Sequence, residues 1–144
     1  MTDVSDIKPP RLLIVEGDRE ARTMLELALA YAGDSYQVFS APTGASALLQ
    51  LGIVRPDLIL LDITLGNGDG WDTLKRIRER SKVPIIVLSP TDAAEITIRS
   101  LERGADYCMK LPLSMVELRA RVQALLRGEA TAEKLGRRAQ RSGR

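Results

Sequence analysis

Between Pro56 and Asp62 the chain reads Asp57-Leu-Ile-Leu-Leu61, apolar for four consecutive residues. A strand of that kind has no polar face to give to water, so both faces must be covered, the requirement of a central strand in a parallel sheet. The same signal recurs at Arg11-Leu-Leu-Ile-Val15 and Pro84-Ile-Ile-Val-Leu88, and in shorter form at Tyr36-Gln-Val-Phe39 and Tyr107-Cys-Met109. Between these runs the apolar spacing becomes helical. Asp18 reads as the N-cap of a helix carrying Met24, Leu25, Leu27, Ala28 and Leu29 up to Ala32-Gly33. Further helices are expected from Gly44 to Leu51, from about Trp71 to Arg80, from Asp92 to Arg103-Gly104, and after the cap Ser114 with an apolar stripe of Val116, Leu118, Val122, Leu125 and Leu126.

Five strand–helix repeats predict one α/β domain, a doubly wound five-stranded parallel sheet with helices on both faces. The expected strand order is 2-1-3-4-5, the flavodoxin-like arrangement, in which sites form at the carboxyl ends of the strands. The domain is expected over residues 11–127, with a flexible N-terminus at 1–10 and a basic flexible tail or linker at 128–144. Of 21 basic and 19 acidic residues, five basic and two acidic lie in 128–144. The rest of the chain is therefore close to neutral, and direct nucleic-acid binding by the domain is not expected. No apolar run approaches the roughly 20 residues that span a bilayer, and the first ten residues lack a secretory signal's apolar segment. A cytoplasmic protein with no membrane association is the expectation. The single Cys108 excludes an intrachain disulfide, and the absence of histidine excludes a His general base or a His-ligated metal.

The strand ends carry the chemistry. Strand one runs into Glu16-Gly17-Asp18, strand three into Asp62, strand four into Ser89 and strand five into Lys110. In the expected order the first and third strands are neighbours, so Glu16 and Asp62 share one crevice. Crowded carboxylates call for a bound cation or a raised pKa, and all-oxygen ligands favour Mg²⁺. A hydroxyl at Ser89 and an ammonium at Lys110 suit phosphoryl oxygens, which makes the group a carboxylate nucleophile with charge-neutralising helpers.

These segments, Leu12-Leu-Ile-Val-Glu-Gly-Asp18, Pro56–Asp62, Asp69-Gly70, Ile85-Ile-Val-Leu-Ser89 and Gly104-Ala-Asp106 with Pro112, resemble the receiver domain of two-component response regulators in order and spacing. The resemblance covers about Arg11 to Arg127. It implies a phosphorelay module that accepts a phosphoryl group on Asp62 from a sensor histidine kinase, with Ser89 and Lys110 assisting and Mg²⁺ held by Glu16 and Asp62. It also implies switching, and a possible homodimer, through the face formed by the fourth helix, fifth strand and fifth helix. The module is not an enzyme in its own right.

Three positions depart from the family pattern. Gly17 stands where the family has a second acid, the direct metal ligand, so weakened Mg²⁺ affinity is expected. Leu111 precedes Pro112 where the family has lysine. An ungapped register turns Lys110 away from the pocket and puts Cys108 at the aromatic switch position, whereas a one-residue shortening before Tyr107 with a bulge at Leu111 restores Tyr107 and Lys110. Pro90 follows Ser89 and removes an amide donor. These departures keep open a phosphorylation-independent pseudo-receiver that serves as a protein interaction module. A phosphatase or transferase built on Asp62 is disfavoured by Thr64 two residues on, where a second acid is needed. The Gly66, Gly68 and Gly70 spacing lacks the Lys-Ser/Thr ending of a phosphate-binding loop and is expected to provide backbone freedom.

Overall fold

The computed structural model describes residues 8–30, 35–65, 69–91 and 93–128. Its elements are β1 (Arg11–Val15), α1 (Arg19–Ala30), β2 (Gln37–Ala41), α2 (Gly44–Val54), β3 (Leu58–Asp62), α3 (Gly70–Arg80), β4 (Ile85–Ser89), α4 (Ala94–Glu102), β5 (Tyr107–Lys110) and α5 (Met115–Leu126). The five strands form one parallel sheet in the order β2-β1-β3-β4-β5. This is the doubly wound, flavodoxin-like architecture.

Every residue of β3 and β4 is buried. Alternation along the strands divides the core in two. Leu13, Val15, Ile59, Leu61, Ile85 and Val87 pack with Ala47, Leu74 and Ile77 on the α2–α3 face. Leu12, Ile14, Leu58, Leu60, Ile86 and Leu88 pack with Leu25, Leu29, Leu118 and Val122 on the α1–α5 face.

Local chemistry fixes the helix ends. Asp18 Oδ2 accepts from the Ala21 amide, the capping role read from its position before α1. Thr43 and Ser46 form a capping box on α2, and Ser114 accepts from the Glu117 amide at the start of α5. Helix α2 continues past Leu51 to Val54, because Gly52 is tolerated inside it and the left-handed stop falls at Arg55, with φ of 54°. Val116 is 81% exposed and so lies outside the apolar stripe of α5, which buries Leu118, Val122 and Leu125 instead. Asp92, Ala32-Gly33, Gly66, Gly68 and the tail at 129–144 lie outside the described residues.

Gly70 is required by space. A Cβ there would collide with the backbone of Ile63, so the first turn of α3 lies directly against the segment that follows β3. At Gly104, φ is +103°, a value side chains rarely adopt. Arg78 stitches this region together: its guanidinium donates to the carbonyls of Gly104 (2.8 Å) and Ser81 (3.0 Å) and to Asp106 Oδ2 (3.1 Å). Asp106 Oδ2 also accepts from the Ile85 amide at the start of β4. The described helices include none long and apolar enough to cross a membrane.

Candidate functional site

Parallel pairing sets Val15 opposite Leu61, so the next residue of each chain segment, Glu16 and Asp62, emerges side by side at the carboxyl end of the sheet. Both are buried, at 4% and 7% exposure. Their side chains lie beside one another and interact directly, and Glu16 Oε1 accepts a hydrogen bond from the Asp18 amide at 3.1 Å. Burial, followed by the contact with Asp62, pushes the Glu16 carboxyl up to about 7, against the opposing pull of the Asp18 amide. Asp62 Oδ1 accepts from both the amide (2.9 Å) and the hydroxyl (2.7 Å) of Thr64, which fixes the rotation of its carboxyl group.

Ser89 is fully buried at the end of β4. Its hydroxyl donates to the Thr91 carbonyl (2.8 Å) and accepts from the Thr91 amide (3.2 Å), a local turn that closes over Pro90. Ser89 pairs with Lys110 across the β4–β5 ladder, following Val87 with Cys108 and Leu88 with Met109, and the Leu111 amide donates to the Ser89 carbonyl. Of the two registers open from the sequence, this ladder is the one without a bulge.

Alternation then decides which side chain joins the acids. Met109 belongs to the α1–α5 core and Leu111 packs against it, on the face reached by Glu16 and Asp62. Cys108 packs against the opposite core, and Lys110, on the same parity as Cys108, is exposed. The structure therefore brings Glu16, Asp62 and Leu111 to one face and leaves Lys110 on the other. Tyr107 stays on the α5 side, where its hydroxyl meets Glu117 at 3.2 Å and the Arg121 guanidinium lies 4.2 Å from the centre of its ring. The thiol of Cys108 accepts from the Ser100 hydroxyl at 3.9 Å, and burial pushes its pKa up.

Two contributors carried no sequence signal. Thr64 orients Asp62, although nothing separates it locally from an ordinary turn residue. Arg22, on α1, donates to the carbonyls of Glu16 (3.0 Å) and Gly17 (3.5 Å) and so braces the turn that carries Glu16. Among the described residues no group of three or more His, Cys, Asp or Glu side chains is placed to hold a metal ion. The acid pair itself is a set of hard oxygen donors.

Residues 12–123 match the family described as the response regulator receiver domain, and the chain belongs to that family. The KDP operon transcriptional regulatory protein KdpE of Escherichia coli (strain K12) is 40% identical over 116 residues, covering 81% of this chain and 51% of that protein. The transcriptional regulatory protein AfsQ1 of Streptomyces coelicolor is 39% identical over 118 residues, 82% of this chain and 52% of that protein. The crystal structure of a two-component response regulator from Clostridium difficile superposes with a TM-score of 0.76 at 30% identity, covering 82% of this chain and 96% of that one. The chain thus spans about half the length of the curated relatives it matches. As a class, receiver domains are signalling modules that partner with sensor histidine kinases and bind Mg²⁺ at an acidic pocket.

Proposed function

We propose that this receiver domain accepts a phosphoryl group on Asp62 from a sensor histidine kinase and works as the input half of a transcriptional regulator. The observation that carries the reading is the juxtaposition of Glu16 and Asp62, two buried carboxyl groups set side by side at the carboxyl end of the sheet. Asp62 is the nucleophile: one of its oxygens bonds to phosphorus as the P–N bond of the donor phosphohistidine breaks, and the electron pair leaves on the imidazole nitrogen. Thr64 holds the Asp62 carboxyl in one orientation beforehand. Ser89 turns its hydroxyl from Thr91 to a phosphoryl oxygen.

Glu16 and Asp62 would hold Mg²⁺, which when bound neutralises charge on the phosphoryl oxygens. The fit rests on the donor set, two buried carboxyl groups side by side that offer hard oxygen ligands. With Gly17 in place of a second acid at the turn, fewer protein ligands remain and affinity is weakened. Leu111 supplies no ammonium to the phosphoryl group, so the modified state depends more heavily on the metal. The signal leaves through the α4–β5–α5 face, also the surface for a homodimer, in the cytoplasm.

Intact-mass analysis after incubation with acetyl phosphate and Mg²⁺ tests the reading. One phosphoryl adduct is expected, its formation prevented when the metal is chelated beforehand, and absent in Asp62→Asn. An unmodified chain at every Mg²⁺ concentration, or an adduct that persists in Asp62→Asn, overturns it.

A further inference from the structure

A crevice of about 300 Å³ opens beside the acid pair, between α1 and the segment joining β5 to α5. Its walls are apolar: Met24, Leu25 and Ala28 on one side, Leu111, Pro112 and Leu113 on the other. Among the described residues lining it, Glu16 is the one ionisable group. Glu16 is 4% exposed and stands beside Asp62 at the carboxyl end of the sheet. Among the described residues, the cations nearest in the chain are directed elsewhere. The Arg22 guanidinium is engaged with the Glu16 and Gly17 carbonyls and stands 3.9 Å from Glu26. Lys110 belongs to the opposite parity of β5.

The crevice therefore combines two demands. Its walls gain from contact with an apolar body, and the Glu16 carboxyl at its floor suits a donor, best of all a cationic one. Its volume sits at the lower limit of small-molecule sites, roughly 300–1,000 Å³. An uncharged apolar side chain from a partner protein would fill the walls and leave the floor unmatched.

We propose that this crevice binds a small amine with an apolar body, its ammonium against the Glu16 carboxyl and its body between Met24, Ala28 and Leu113. Such a ligand supplies the positive charge that Leu111 does not. It needs no phosphoryl transfer, so its binding and the acetyl phosphate reaction succeed or fail separately.

Amide NMR titration of the full chain with phenethylamine tests the proposal, with phenethyl alcohol as the uncharged match and n-butylamine as an ammonium without a bulky body. Saturable shifts are expected at 111–115 and along α1, with affinity at least about tenfold above that of either comparison compound. Ala28→Trp fills the crevice and Leu111→Lys supplies an ammonium from within. Each is expected to abolish the saturable shifts while the remaining spectrum stays native, and if one variant does not fold the other decides. The site is overturned if shifts do not saturate or spread over the whole surface, or if the folded variants bind like the parent. The ligand class is overturned if the alcohol or n-butylamine binds equally well.

Discussion

Glu16 holds a proton in the folded chain over a pH range in which the unfolded chain has already released it. Its carboxyl rises from an ordinary 4.5 to about 7, because burial and Asp62 disfavour the charge. The folded state binds more protons in that window, so stability falls as pH climbs from 4.5 to 7 and the full penalty is present above it. Glu16→Gln removes the penalty: little change is expected at pH 4, and a gain of up to about 3 kcal/mol at pH 8. Urea midpoints across pH check this, and a difference between the two proteins that does not vary with pH would refute it. The position of this acid was legible because it follows an apolar strand directly. The residue facing it from β5 was not, since Tyr107-Cys-Met109 offers apolar character on either parity and Pro112 fits both registers. Thr64 and Arg22 left no trace because each acts through a backbone or side-chain partner that only the folded turn creates.

At the scale of the element, joints between helices and strands rest on a few close contacts. Arg78 and Asp106, with side chains 19% and 8% exposed, tie α3 to the approach to β5 across 28 residues of sequence. Arg78→Met leaves the Asp106 carboxylate buried without its guanidinium, although the Ile85 amide still donates to it. A loss of about 3 kcal/mol is expected in denaturant unfolding, and an unchanged midpoint would show that the partners remaining to Asp106 satisfy it. Gly70→Ala drives a methyl group into the Ile63 backbone. A loss of about 2 kcal/mol or more is expected there, accompanied by shifts in the Thr64 and Asp62 amides, and a neutral effect would mean that α3 can move outward freely. The elements themselves could be read from period and caps, as Asp18 and Ser114 illustrate. Long-range ties could not be, because charged residues on an amphipathic helix look alike until their partners are placed.

The whole molecule is one sheet with two cores, and the question at this scale is whether they melt together. Trp71 packs against the α2–α3 core, with Arg99 over its ring at 4.1 Å, and so reports on that side of the sheet. Leu118 is fully buried in the other. Leu118→Ala is expected to cost about 2–5 kcal/mol and to move the midpoints of Trp71 fluorescence and far-ultraviolet circular dichroism equally, since β3 and β4 belong to both cores. A fluorescence midpoint left behind at the parent value would show two independently melting halves. The doubly wound order was legible because β3 and β4 are apolar on both sides.

The unbulged β4–β5 ladder makes the charge beside Asp62 a matter of odd or even count. Removing a single residue between Ala105 and Met109 would exchange the two sides of the last strand and present an amine where a hydrocarbon now stands, with no new side chain introduced. An engineer seeking to convert this domain's electrostatics could reach for a deletion before a substitution, and homologous chains differing by one residue in that stretch should sort into two chemical types.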